Sequence, residues 1–206
     1  MNRVEQIFKE PKISFSRFFK KYTENFFDLV KSIDIDSIKK LAEVLLEARE
    51  REATIFVIGN GGSAATASHF AEDLALCAGA GKDKPFRTLS LTDNTSYISA
   101  LGNDEGYEKI FVGQLRNLYR PGDILIVFSG SGNSPNLIKA IEYVNSKDGD
   151  AFGILGFDGG EAKRICRQAI VIDSPKGHYG PVESLHLFLI HIISNYLFSR
   201  LNGSAR

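Results

Sequence analysis

The stretch Ala53-Thr-Ile-Phe-Val-Ile-Gly-Asn-Gly-Gly-Ser-Ala-Ala-Thr-Ala-Ser-His-Phe-Ala-Glu-Asp73 decides how the rest of the chain is read. Thr54-Ile-Phe-Val-Ile58 is a short apolar run, rich in β-branched residues and closed by glycine, which is the pattern of a parallel strand buried on both faces. Gly59-Asn-Gly-Gly62 breaks the chain, Ser63 suits a helix N-cap, and the following alanine-rich segment opens a helix. Backbone N–H groups and the positive end of a helix dipole then converge beside a glycine loop, an arrangement suited to an anion such as phosphate. The loop is not the dinucleotide fingerprint, because the third glycine is missing, and not a Walker loop, because no lysine follows. His69 and Asp73 are four residues apart and share one helix face, with Glu72 beside them. Such a pair serves a metal site or acid–base chemistry; its plainer reading is a core histidine and a solvated helix charge.

Outward from this stretch, strands and helices alternate, which argues for a parallel sheet covered on both faces. The expected order is strand 53–58, helix 63–78, a glycine-rich loop 78–84, strand 86–91, a short helix from Thr92 to about Asp104, and a helix over 107–118. Strand 124–128 follows, then Ser129-Gly-Ser-Gly-Asn-Ser134 with Pro135 in a first helical turn, and a helix over 136–146. Strands 151–155 and 169–172 and a strongly apolar helix from Val182 to about Leu201 complete the pattern. Two strand-to-helix loops therefore carry Gly, Ser and Asn, and in an open parallel sheet both lie outside the carboxyl ends of their strands, where such sheets bind ligands. Before residue 50 there is only helix. Phe15, Phe18, Phe19, Tyr22, Phe26, Phe27, Leu29, Val30 and Ile33 recur at intervals of three and four, and Asp36 or Ser37 is placed to cap a second helix after a break at residues 34–37. This divides the chain into a helical extension, 1–50, suited to packing against another subunit, and an α/β domain, 51–206.

Composition narrows the classes. The 206 residues, 43% of them hydrophobic, suit one globular domain with no run long enough to span a bilayer. Twenty-five basic residues balance 25 acidic ones, so net charge supplies no argument for nucleic acid. Cys77 and Cys166 have no metal-ligand spacing and read as reduced, buried thiols; with a mixed, charged N-terminus they imply a cytoplasmic protein.

The motifs Gly59-Asn-Gly-Gly-Ser63, His69-Phe-Ala-Glu-Asp73, Leu101-Gly-Asn-Asp104, Ser129-Gly-Ser-Gly-Asn-Ser134 and Glu183-Ser-Leu-His-Leu-Phe-Leu-Ile-His191, in this order, resemble the SIS (sugar isomerase) domain family, and within it the phosphoheptose isomerases. The resemblance implies an α/β fold with an open five-stranded parallel sheet of flavodoxin-like order. It implies isomerisation of sedoheptulose 7-phosphate to the aldose heptose 7-phosphate for lipopolysaccharide or capsule, a homotetramer with sites at subunit interfaces, and zinc or another divalent ion. By resemblance, Ser129, Gly130, Ser131 and Ser134 hold the phosphate, while Asn60, Gly61, Gly62, Ser63, Asn103, Asp104 and Glu183 contact substrate. His69, Asp73, Glu183 and His191 take the metal-ligand positions, with Asp73 as base and His191 as its acid partner. Four residues depart from the family pattern: Asp73 stands for Glu, Glu183 for Gln, Gly180 for Asp and Gly130 for Thr. Glu183 and His191 are eight apart, about 12 Å along an ideal helix, so Glu183 and His186, three apart, form a rival ligand pair. Two other functions fit the same fold: a non-catalytic SIS regulator that binds a protein partner, of the replication-initiator-associating type, and an isomerase for a different sugar phosphate.

Overall fold

The computed structural model describes residues 9–76 and 84–202. Two helices, α1 (Phe15–Ser32) and α2 (Ile35–Glu50), precede β1 (Thr54–Ile58) and α3 (Gly62–Leu76). Then come β2 (Arg87–Ser90), α4 (Thr95–Asp104), a 3₁₀ turn (Tyr107–Lys109), α5 (Val112–Leu118), β3 (Ile124–Ser129) and α6 (Pro135–Asn145). The chain closes with β4 (Asp150–Gly156), α7 (Gly160–Ile165), β5 (Gln168–Ile172) and α8 (Tyr179–Asn202). The five strands are parallel and ordered β2-β1-β3-β4-β5, the flavodoxin-like order.

Strand alternation divides the core into two layers. Ile55, Val57, Ile124, Ile126, Phe128, Phe152 and Ile154 pack with α2, α3 and α8, joined by Leu29 and Ile33 from the α1 end. The alternate residues Phe56, Ile58, Leu125, Val127, Ala151 and Leu155 pack with α5, α6 and α7. The helix after β1 and the helix after β3 thus lie on opposite faces, and the connections part company between these two strands. A crevice opens there, above the loops 59–62 and 130–134.

Local chemistry sets several boundaries away from the expected ones. α3 already starts at Gly62, so Ser63 is a buried helical residue and not the N-cap. Asp34, not Asp36 or Ser37, caps α2: its carboxylate accepts from the Asp36 backbone N–H at 3.1 Å and the Ser37 hydroxyl at 2.5 Å. The helix expected over 107–118 is broken after the 3₁₀ turn and restarts at Val112. The six residues of α7, too few to show helical periodicity, were not foreseen. Cys166 is buried and its thiol is pushed up to about 12 by desolvation, in keeping with an inert structural thiol. Cys77 and most of the glycine-rich loop lie outside the described residues. Among the described residues no helix is long and apolar enough to cross a membrane.

His186 of α8 is wholly buried, its ring 5.8 Å from that of Phe128. Burial pushes it down to about 4, opposed only by the Leu155 backbone. In acid an unfolded chain takes up a proton here that the folded chain refuses. The associated stability is therefore whole above the ordinary imidazole value of 6.5 and is lost as pH falls toward 4. Urea melts at about pH 7.5 and about pH 5 are expected to show a smaller acid loss in His186→Leu than in the wild type, by on the order of 2 kcal/mol. Equal losses would show that His186 does not resist protonation.

Candidate active site

The two Gly/Ser/Asn loops meet across the crevice. The Asn60 side chain donates to Asn136 Oδ1 at 3.0 Å and accepts from Asn136 Nδ2 at 2.8 Å, a reciprocal amide pair joining the β1–α3 loop to the start of α6. The same Asn136 oxygen accepts from the Leu137 backbone N–H at 3.0 Å, and the Tyr107 hydroxyl donates to Asn60 Oδ1 at 3.3 Å. Between the loops lies a cavity of about 260 Å³ lined by Asn60, Gly61, Gly62, Ser63, Ser129, Gly130, Ser131, Ser134 and Glu183 among others. All the residues expected at the phosphate end are therefore in one place.

Not all their polar groups face the cavity. Ser129 Oγ accepts from the Gly132 N–H at 2.9 Å and closes the turn. Gly132 adopts φ +65°, and a Cβ there would lie 2.0 Å from the Gly159 carbonyl oxygen, so the position admits only glycine. The loop is braced from outside: the Gly132 carbonyl accepts from the Ala162 N–H at 2.9 Å, and the Asn133 side chain from the Glu161 N–H at 3.0 Å. Glu183 places its carboxylate over Gly62, where a Cβ would lie 2.4 Å from Oε2. A side-chain anion thus sits at the N-terminus of α3, and the free part of the cavity is the serine loop with the N-terminus of α6.

A cluster of two imidazoles and a carboxylate lies beyond Glu183, between α3 and α8. Ligand atoms of His69, Asp73 and His191 lie within 4.8 Å of one another. The two imidazoles meet through their Nε2 atoms at 3.4 Å, with His69 Nε2 3.7 Å from Asp73 Oδ1. Asp73 is buried, and its Oδ2 accepts from the Ser194 hydroxyl at 3.1 Å. That bond turns Oδ1 toward the imidazoles. Two imidazole nitrogens and a carboxylate oxygen at this spacing are a donor set that a zinc-like divalent ion fits. A groove lined by Gly62, Thr66, His69 and Glu183 shares Gly62 and Glu183 with the serine-loop cavity, so one extended molecule can reach from loop to cluster.

Glu183, expected as a fourth ligand, is not in this cluster, because α8 runs unbroken from Tyr179 to Asn202 and separates it from His191 by two turns. The rival pair with His186 does not form, since His186 is fully buried beneath the sheet. Asn103 and Asp104 lie on the exposed end of α4, bonded to each other at 2.7 Å, and do not line the cavity. Three residues at the site went unread in the sequence: Asn136, Ser194 and Tyr179. Ser194 carried one signal, its place three residues after His191 on the same helix. Tyr179 fills the space left by Gly130, where a Cβ would lie 2.8 Å from its Cδ1, and the Tyr22 hydroxyl from α1 stands 3.1 Å from where a Cβ on Gly180 would be.

Residues 18–156 match the SIS domain family model. The chain is 37% identical over 173 residues to the phosphoheptose isomerase of Trichlorobacter lovleyi, covering 82% of this chain and 87% of that protein. It is 34% identical to the phosphoheptose isomerase of a Neisseria meningitidis serogroup C strain, covering 81% and 85%. Among solved structures, phosphoheptose isomerase GmhA from Neisseria gonorrhoeae superposes with a TM-score of 0.80 at 27% identity, over 90% of this chain and all of that one.

The amide pair is the cheapest feature to test. Asn136→Ala leaves the buried Leu137 N–H and the half-buried Asn60 Nδ2 without their acceptor, and is expected to lower unfolding free energy by about 1–3 kcal/mol in denaturant titrations. A change below about 0.5 kcal/mol would mean that the pair does not hold the loops together.

Proposed function

The chain belongs to the SIS domain family, on its phosphoheptose isomerase branch, and on that footing we propose that it isomerises sedoheptulose 7-phosphate to D-glycero-D-manno-heptose 7-phosphate through an enediol. The observation that carries this reading is the groove that leads from the serine loop to His69, at the edge of the cluster that His69 forms with Asp73 and His191.

The reaction needs a base to take a proton from the carbon beside the carbonyl and an acid to protonate the carbonyl oxygen. Asp73 Oδ1 is the base, because Ser194 holds the other carboxylate oxygen and the burial of the side chain keeps water from competing. His191 supplies the proton to the carbonyl oxygen, which gives the enediol. Asp73 then returns its proton to the former carbonyl carbon while the neighbouring hydroxyl gives one up to His191, and the aldehyde forms with both groups restored. The serine loop holds the phosphate far from these atoms and fixes their position. His69, Asp73 and His191 would hold a zinc or similar divalent ion in the substrate-free site, and Asp73 and His191 would give up that hold to act as base and acid once substrate is seated, with Glu183 at the border of the groove. When bound, such an ion polarises the substrate oxygens.

We further read the protein as a cytoplasmic homotetramer that supplies heptose for lipopolysaccharide or capsule, with α1 and α2 serving subunit packing. Phe15, Phe19, Phe27 and Ile35 are exposed, as are Phe188, Ile192 and Tyr196 of α8, and an apolar cavity of about 450 Å³ lies between α2 and α8. This supports a covered face. Nothing at the site favours the non-catalytic reading, which has no use for an assembled acid–base cluster.

Asp73→Asn is expected to lower kcat by about 10³-fold or more, with sedoheptulose 7-phosphate still bound by calorimetry. Retained turnover would remove Asp73 from the role of base. Elemental analysis is expected to find about one divalent ion per wild-type chain and none in His69→Ala or His191→Ala. Light scattering is expected to give the mass of four 22.7 kDa chains, and a monomer would overturn the assembly.

A further inference from the structure

We propose that Tyr179 is the selective wall of the sugar-phosphate cavity, its ring lying along the substrate carbons next to the phosphate; the proposal rests on the isomerase reading above. Tyr179 opens α8 and precedes Glu183 by one turn, so both side chains face the same cavity from one rigid helix. The ring is fixed on two sides. A Cβ at Gly130 would lie 2.8 Å from Cδ1 and 2.9 Å from Cε1, so the ring stands where any larger residue at 130 would have to be. Phe157 meets it edge-on, with centroids 5.0 Å apart and planes at 73°. Gly130 and Tyr179 are therefore one unit, and the ring as it stands leaves no room for the Thr expected at 130 from the family resemblance.

The rest of the lining explains why this ring decides selectivity. Glycine, serine and asparagine of the two loops suit a phosphate, which every sugar phosphate carries, and so they cannot separate one sugar from another. Discrimination needs contact with the carbon chain. Of the large apolar side chains in the lining, Phe128 and Leu137 are 0% and 1% exposed and have no surface to offer, whereas Tyr179 is 48% exposed. Its face is the apolar surface that C–H groups of a polyol chain can cover.

The test measures binding by calorimetry with two probes, sedoheptulose 7-phosphate and inorganic phosphate, together with KM and kcat. Tyr179→Ala is expected to weaken the sugar phosphate about tenfold and to raise KM by the same factor, with kcat and phosphate affinity within about twofold of wild type. Tyr179→Phe keeps the ring and is expected to match the wild type within about twofold. Gly130→Thr, which collides with the ring, is expected to weaken the sugar phosphate, and adding Tyr179→Ala to it should recover part of the loss. Unchanged sugar-phosphate affinity in Tyr179→Ala overturns the proposal. So does a parallel loss of inorganic phosphate, which would make the ring a prop for the loop, and so does a Tyr179→Phe as weak as Tyr179→Ala, which would assign the contact to the hydroxyl. If the wild type binds inorganic phosphate but no ketose phosphate, the isomerase reading falls first and takes the wall with it.

Discussion

The parting of the helices between β1 and β3 is the constraint on which the rest of this structure depends. Two loops must end side by side at that gap while the helices that follow them go to opposite faces, and the β1–β3 ladder fixes where the loops begin but a further contact must tie them together. The reciprocal amide pair of Asn60 and Asn136 does so. Each amide meets a donor with an acceptor and an acceptor with a donor, so the pair is satisfied in one geometry only. The cavity floor, the start of α6 and the Tyr107 turn are all referred to that geometry.

The residues read from the family resemblance as departures from its pattern make sense as contacts and not as single residues. Glu183 brings a carboxylate to the N-terminus of α3, which leaves the serine loop as the part of the cavity open to an anion. Asp73 is shorter than the expected glutamate, and Ser194 from the facing helix pins one of its oxygens. Gly130 and Gly180 are each met by a tyrosine, Tyr179 and Tyr22, so that space given up at one position is occupied from another element.

Much of this was legible in the sequence because parallel strands buried on both faces read as uninterrupted apolar runs, and because two Gly/Ser/Asn loops at equivalent strand ends of one sheet point to close approach of backbone to a ligand. His69 and Asp73 could be paired by helical spacing alone. The partners that complete the site could not. Asn136 meets Asn60 across 76 positions and Ser194 meets Asp73 across 121, and neither residue type announces a distant contact. Exposure was equally hidden: Asn103 and Asp104 sit in a family motif yet remain outside the cavity, and the periodicity that marks His186 as helical does not say that it is buried.

The brace on the serine loop has a consequence for synthesis. Residues 129–134 leave the ribosome well before Gly159, Glu161 and Ala162, which supply the outer contacts of the loop, and Ser194 follows later still. A nascent chain can pair its first three strands while it still lacks both a settled anion loop and an oriented carboxylate. Interrupted translation therefore yields fragments without a working site, and the competence to handle a reactive sugar arrives only when the final helix closes over the sheet.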